Sequence, residues 1–189
     1  NCTFFALVKM SAITTIKVEV GFCDQTAATG GAASNNTGAI VQVLATPDAT
    51  ATDGACWVFD TDDTGSWQLF TVKNDATPQK TEPSYIGNFS GDAAPVADRW
   101  ELLGVSLAGT NARFYRGSMV GYDSSEGDFT KRLTMTYDSG WIADAITKTA
   151  ALTPHLFVQN RTGSSRTLSV DALWAWQYRQ KFEGVYQAS

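Results

Sequence analysis

Residues 98–122 read DRWELLGVSLAGTNARFYRGSMVGY, and this stretch decides the fold. Leu103, Val105 and Leu107 alternate with Leu102, Gly104 and Ser106, the period of two that a half-buried strand requires. Ala108-Gly109-Thr110-Asn111 then turns the chain back. With Leu107 facing Ala112, Val105 falls opposite Phe114 and Leu103 opposite Arg116, while Gly104 and Ser106 share the other face with Tyr115 and Arg113. One face is oily and the other mixed, as in a hairpin from a sheet packed on a second layer.

The same alternation recurs along the chain. Residues 3–10 and 15–22 read as a hairpin, with Phe5, Leu7, Ile16, Val18 and Val20 facing the core and Ala6, Val8, Lys17 and Glu19 facing away. Pairing Met10 with Thr15 would set Cys2 opposite Cys23, so a disulfide is geometrically allowed; the plainer reading is that Cys2, Cys23 and Cys56 are small buried apolar side chains. Residues 24–36 are polar and glycine-containing and read as a surface loop, residues 39–44 as a strand, and residues 46–54 as loop again.

Residues 56–60 and 67–72 make a third ribbon, joined by Thr61-Asp62-Asp63-Thr64-Gly65 and apolar on both faces. Its expected register groups Trp57, Phe59 and Phe70 on one side and Val58, Trp67 and Leu69 on the other. Such a ribbon is either central in a sandwich or covered by a partner. Residues 73–97 read as irregular, with a short strand at 85–89. Residues 129–137 alternate, whereas 141–148 show helical spacing and predict one short helix. Residues 156–159 form a strand and Gly163-Ser164-Ser165 a turn. In residues 168–178, Leu168, Val170, Ala172, Trp174, Trp176 and Tyr178 share one face. Many strands at short intervals predict an all-β, two-layer antiparallel sandwich forming a single domain over residues 1–189.

Composition narrows the role. Hydrophobic residues make up 43% and aromatics 12%, which argues against disorder, while charged residues at 17% fall below the roughly 25% usual for soluble domains. A net charge of -5 argues against nucleic acid or an anionic membrane as partner, since both require a basic face. No apolar run approaches the roughly 20 residues of a membrane span. A chain beginning at Asn1 and alternating at once from Cys2 points to a processed chain or a segment of a longer one.

Several pieces, in order, carry a family likeness. They are Phe4-Phe5-Ala6-Leu7-Val8-Lys9 with Val20-Gly21-Phe22-Cys23-Asp24, Gly54-Ala55-Cys56-Trp57-Val58-Phe59-Asp60 before Trp67, Asp98-Arg99-Trp100-Glu101-Leu102 leading to Arg113-Phe114-Tyr115, and Leu168-Ser169-Val170-Asp171. Together they resemble the concanavalin A-like, laminin-G-like jelly-roll sandwiches, in particular those carried on bacteriophage particles as head decoration or tail-fibre domains. Arg116-Gly117-Ser118 keeps the glycine-containing turn of laminin-G-like domains, but the following strand gives way to a longer loop at residues 121–127.

Catalytic chemistry finds little support. Glycosidases that this fold resembles carry a Glu-x-Asp-x-x-Glu strand, because hydrolysis needs two carboxylates on one face; here Glu19 stands alone between valines, and Glu101 has no carboxylate two or four residues on. Asp60, Asp62 and Asp63 before Gly65 and Trp67 could hold calcium or underlie a sugar stacked on Trp67, although an acidic hairpin turn is the simpler reading. His155 has no neighbouring acid or nucleophile in sequence and reads as an ordinary strand-edge residue. No Gly-x-Ser-x-Gly elbow, zinc-ligand spacing or phosphate loop is present. No catalytic, cofactor or metal residue is therefore assigned.

The aromatics remain. Arg113 and Tyr115 on the mixed face of the central hairpin, with Trp67 and Tyr85, are the candidate contacts for a glycan or protein partner. The resulting expectation is a non-enzymatic protein of a virion surface, a phage capsid decoration or fibre/adhesion domain. It would dock on capsid or fibre subunits, self-associate as a homo-oligomer, and need no cofactor, nucleic acid or membrane. A carbohydrate-binding, lectin-like module is the alternative, and a polysaccharide hydrolase dependent on Asp60 or Asp62 the lesser one.

Overall fold

The computed structural model describes residues 1–24, 38, 40–42, 48–62, 65–81, 94–119, 133–161, 163 and 165–177. Within them run β1 (Cys2–Met10), β2 (Ile16–Cys23), β3 (Ile40–Gln42), β4 (Asp48–Ala49), β5 (Gly54–Asp60), β6 (Trp67–Val72), β7 (Gln79–Thr81), β8 (Glu101–Ala108), β9 (Asn111–Met119), β10 (Leu133–Ile142), β11 (Thr153–Asn160) and β12 (Leu168–Gln177). One sheet has the order β10-β9-β8-β1-β12 and the other β11-β2-β5-β6-β7, with β3 and β4 as a separate ribbon. The ladders are antiparallel, and the two five-stranded layers make the expected all-β sandwich, compatible with a jelly roll.

The central hairpin forms in the register its alternation dictates: Leu107 faces Ala112, Val105 Phe114, Leu103 Arg116 and Gly104 Tyr115. Gly109 adopts a φ of 64° in its turn, a conformation that costs glycine little. Leu103, Val105, Leu107, Ala112 and Phe114 enter the main core, where they meet Val18, Val20, Trp57, Phe59 and Trp67 of the facing sheet. Trp57 satisfies its buried indole by donating Nε1–H to the Gly104 carbonyl at 3.1 Å.

Several expectations are corrected. β1 and β2 are not a hairpin: β1 pairs with β8 and β12, and β2 with β11 and β5. The connection between them is bonded elsewhere, with Ser11 N–H donating to Thr167 O and Arg161 N–H to Thr15 O, so the chain arches from one layer to the other. Hence Cys2 and Cys23 lie in different sheets, and both are free thiols. In β1 the core face is Phe4, Ala6, Val8 and Met10, while Phe5 and Leu7 look outward.

The β5/β6 ribbon is one residue out of the expected register. Phe59 pairs with Trp67 and Trp57 with Leu69, which sends all four to the core and leaves Cys56, Val58, Phe70 and Val72 on the outer face. That outer face is also buried, with Ala49 of β4 packed on it, so the ribbon is central and covered by its own chain. A ribbon apolar on both sides carries no pattern to select a register.

No helix forms over 141–148. Trp141 and Ile142 end β10; Asp144 has a φ of 58°, and the N–H groups of Ala145 and Ile146 both donate to Thr110 O. Ile142, Ala145 and Ile146 seal the core by packing from strand end and turn. β4 and β7 fall in stretches read as irregular, and the expected strand at 85–89 lies outside the described residues.

Candidate functional site

Combining the ladders gives three rows across the outer face of the β10-β9-β8-β1-β12 sheet. One runs Trp176, Thr3, Ser106, Arg113 and Trp141; the next Trp174, Phe5, Gly104, Tyr115 and Asp138; the third Ala172, Leu7, Leu102, Gly117 and Met135. Phe5 is laid flat because Gly104 beside it has no side chain: a Cβ there would sit 2.1 Å from the Phe5 ring. The ring stacks on Trp176 at 5.8 Å and touches Tyr115 at 5.5 Å, so aromatic surface continues from β12 to β9. Thr3 and Ser106 hydroxyls hydrogen-bond at 2.9 Å between the rings.

Ladder irregularities in β12 and β10 shape this face. The β1/β12 register shifts between Leu7 and Val8, leaving Asp171 unpaired. Leu168 therefore packs against the main core, whereas Ala172 joins the outer cluster of Leu7, Trp100 and Leu102, so the face expected to be continuous from residue 168 to 178 switches sides. The β9/β10 ladder shifts twice, between Met135 and Tyr137 and again between Asp138 and Trp141; the second shift, one extra residue of β10, turns Trp141 to the side that Asp138 occupies, where simple alternation from Asp138 would send it to the core. Gly140, at a φ of 65°, allows the bulge, and Ser139 Oγ accepts the Phe114 N–H within it.

Arg113 and Tyr115 lie together on this surface. Arg113 Nε–H donates to Asp138 Oδ1 at 2.7 Å and Nη2–H to Oδ2, with the guanidinium 5.2 Å from the Tyr115 ring centre and 5.9 Å from that of Trp141. The hydrogen bond from Arg113 holds the Asp138 carboxyl below its ordinary pKa. Trp67, by contrast, is wholly buried: it donates Nε1–H to Glu101 Oε2 at 2.8 Å, and Glu101 Oε1 accepts from Arg116 at 2.8 Å and Arg99 at 3.1 Å. It is a core residue and offers no surface to a ligand. Tyr85 lies outside the described residues. Sequence reasoning missed Asp138 and the strand placement of Trp141, which depends on the bulge; Ser139-Gly140 was the one visible signal.

Two acids of the turn are ion-paired within the chain. Arg161 Nε–H donates to Asp60 Oδ1 at 2.9 Å and lies 3.3 Å from Asp62 Oδ2, while Asp63 lies outside the described residues. Among the described residues no group of three His, Cys, Asp or Glu side chains is placed to hold a metal ion.

A second polar cluster lies on the outer face of β2 and β11, and it corrects the reading of His155 as isolated. Glu19 bonds Lys17 Nζ at 2.7 Å, both side chains being 0% exposed, and His155 Nε2 at 2.8 Å; the imidazole also hydrogen-bonds Cys23. Thiol, imidazole and carboxylate stand in the order of nucleophile, base and orienting acid. Cys23 is nevertheless fully buried beneath Ala51, so the arrangement holds buried charge and presents no sulfur to a substrate.

Burial alone would lower the His155 pKa, but its side-chain hydrogen bonds to Cys23 and Glu19, together with the Glu19 charge, outweigh it and raise the value from 6.5 to about 9. Burial likewise would raise that of Glu19, and His155 and Lys17 reverse this and lower it. Because the folded His155 binds its proton more tightly than the unfolded chain, its contribution is complete below pH 6.5 and lost as pH rises through about 9. A shift of that size corresponds to about 3 kcal/mol. Urea unfolding across pH 5–10 should show this alkaline decline, and His155→Gln should flatten it.

Comparison with known proteins returns no family model, no curated protein and no solved structure that matches the chain.

Proposed function

We propose that this chain is a non-enzymatic surface domain of a virion, a phage capsid decoration or fibre/adhesion domain of the concanavalin A-like, laminin-G-like kind, which docks on capsid or fibre subunits and self-associates. The observation that carries the reading is the state of β12. It ends its sheet among the described residues, and β11 ends the other sheet on the same side, since β1 and β8 lie over β2 and β5.

Leu173 pairs with Ala6 and Val158 with Val18, so both side chains point between the layers; they are nevertheless 54% and 42% exposed. On the opposite face of β12, Trp174 and Trp176 are 46% and 42% exposed. A strand apolar and exposed on both faces is what a docking partner would cover, with about 1.5–3 kcal/mol available for each large side chain fully buried. The ion-paired acids and sealed Cys23 support the absence of turnover, while low charge and the sandwich fold suit a rigid spacer or adhesin.

The test is Leu173→Asp. Sedimentation should show self-association of the parent chain that the variant loses, together with binding to particles stripped of the protein, while melting changes little because Leu173 is exposed. A parent chain that stays monomeric at high concentration and fails to bind such particles refutes the proposal.

A further inference from the structure

We propose that the Arg113–Asp138 pair, flanked by Tyr115 and Trp141, is a binding subsite for an uncharged glycan. It lies at the β9/β10 end of the sheet, three to four strands from the proposed docking edge, and its argument is separate from that reading.

The first reason is the chemistry left free. Arg113 spends Nε and Nη2 on the two oxygens of Asp138, and Oδ1 also accepts the Gly140 N–H at 2.9 Å. What remains is the Nη1 edge as donor beside an Oδ2 lone pair as acceptor. A sugar hydroxyl both donates and accepts, so neighbouring hydroxyls match that edge. The carboxylate already fills the guanidinium fork, and an anionic sugar would have to displace it; the pair as a whole carries no net charge, which favours an uncharged ligand.

The second reason is ring placement. Trp141 is 49% exposed although it is the kind of side chain that folding normally buries, and the bulge turns it beside Arg113. Arg113 lies close to both Tyr115 and Trp141, so the polar edge stands between two aromatic groups before any ligand arrives. Exposed ion pairs add little stability, so folding alone does not explain the arrangement. Aromatic surfaces beside hydrogen-bonding groups can bind the apolar faces and hydroxyls of a sugar together. The continuation through Tyr115 to Phe5 crosses four strands, roughly 14 Å at ordinary strand spacing, which suits an oligosaccharide over a single sugar.

The experiment uses the whole chain in ligand-observed NMR and calorimetric titration against a broad set of uncharged oligosaccharides, maltotetraose, cellotetraose and chitotetraose among them, with tetragalacturonate as the carboxylated counterpart. Saturable binding of at least one uncharged oligosaccharide is expected, weakened at least about tenfold by Trp141→Ala and by Asp138→Asn with melting nearly unchanged. Leu173→Asp should leave it intact, which separates this site from the docking edge. Binding of tetragalacturonate alone, binding that survives Trp141→Ala, no binding across a broad array of uncharged glycans, or a protein partner lost on Trp141→Ala would each overturn the assignment.

Discussion

Glu19→Ala should destabilise the fold by about 3–5 kcal/mol, because it leaves the buried Lys17 ammonium and the His155 imidazolium without their shared anion. Lys17 is wholly covered between β11 and β5, so its ammonium relies on protein groups in place of water, and Glu19 is the carboxylate it bonds at 2.7 Å. Glu19→Gln keeps the shape and one acceptor but not the charge, and should fall between alanine and the parent. Replacing the cations as well, in Lys17→Met with Glu19→Leu and His155→Phe, should recover much of the loss, since apolar side chains of similar volume need no counter-charge. Urea midpoints at pH 6 measure the series. A loss below about 1 kcal/mol for Glu19→Ala would mean that the ammonium finds water or another anion.

Trp67→Ala should cost about 3–5 kcal/mol by the cavity it leaves, and it also removes a hydrogen-bond donor from buried Glu101. The ring packs against Phe59 at 5.6 Å and edge-on to Trp57 at 6.4 Å. Trp67→Phe keeps most of the packing and isolates the second effect, expected at about 1–3 kcal/mol. An exposed sugar-stacking tryptophan would behave otherwise, with truncation changing stability by about 0.5 kcal/mol or less. Denaturant unfolding of the two variants therefore separates the core role from a surface role.

Legibility in the sequence tracked how many physical constraints bore on each segment. The β8/β9 register was readable because one face is apolar, the other mixed, and the turn joins the strands directly. In β5/β6 the pairing was readable but the register slipped by one, as both faces are buried and either alternation satisfies the hydrophobic effect. Residues 2–23 showed two strands and misled on their partners: alternation reports that a strand has an inside, and says nothing about which strand lies beside it. At Trp141 the apolar spacing imitated a helix because a bulge and a turn carry neighbouring apolar residues to different sides.

The candidate site was half visible. Arg113 and Tyr115 could be placed together from the hairpin alone, whereas Asp138 and Trp141 come from another strand, and the extra residue between them has no signature beyond Ser139-Gly140. Glu19 and His155 are separated by 136 positions in the chain, so only the β2/β11 pairing makes them neighbours. By itself the sequence determined the class of fold, since a period of two repeated between short turns admits a layered sheet structure and little else. The tertiary structure decided which strands are neighbours, which aromatics are core and which are surface, and which charges meet. Each of those depends on contacts between distant segments, and local periodicity holds no record of them.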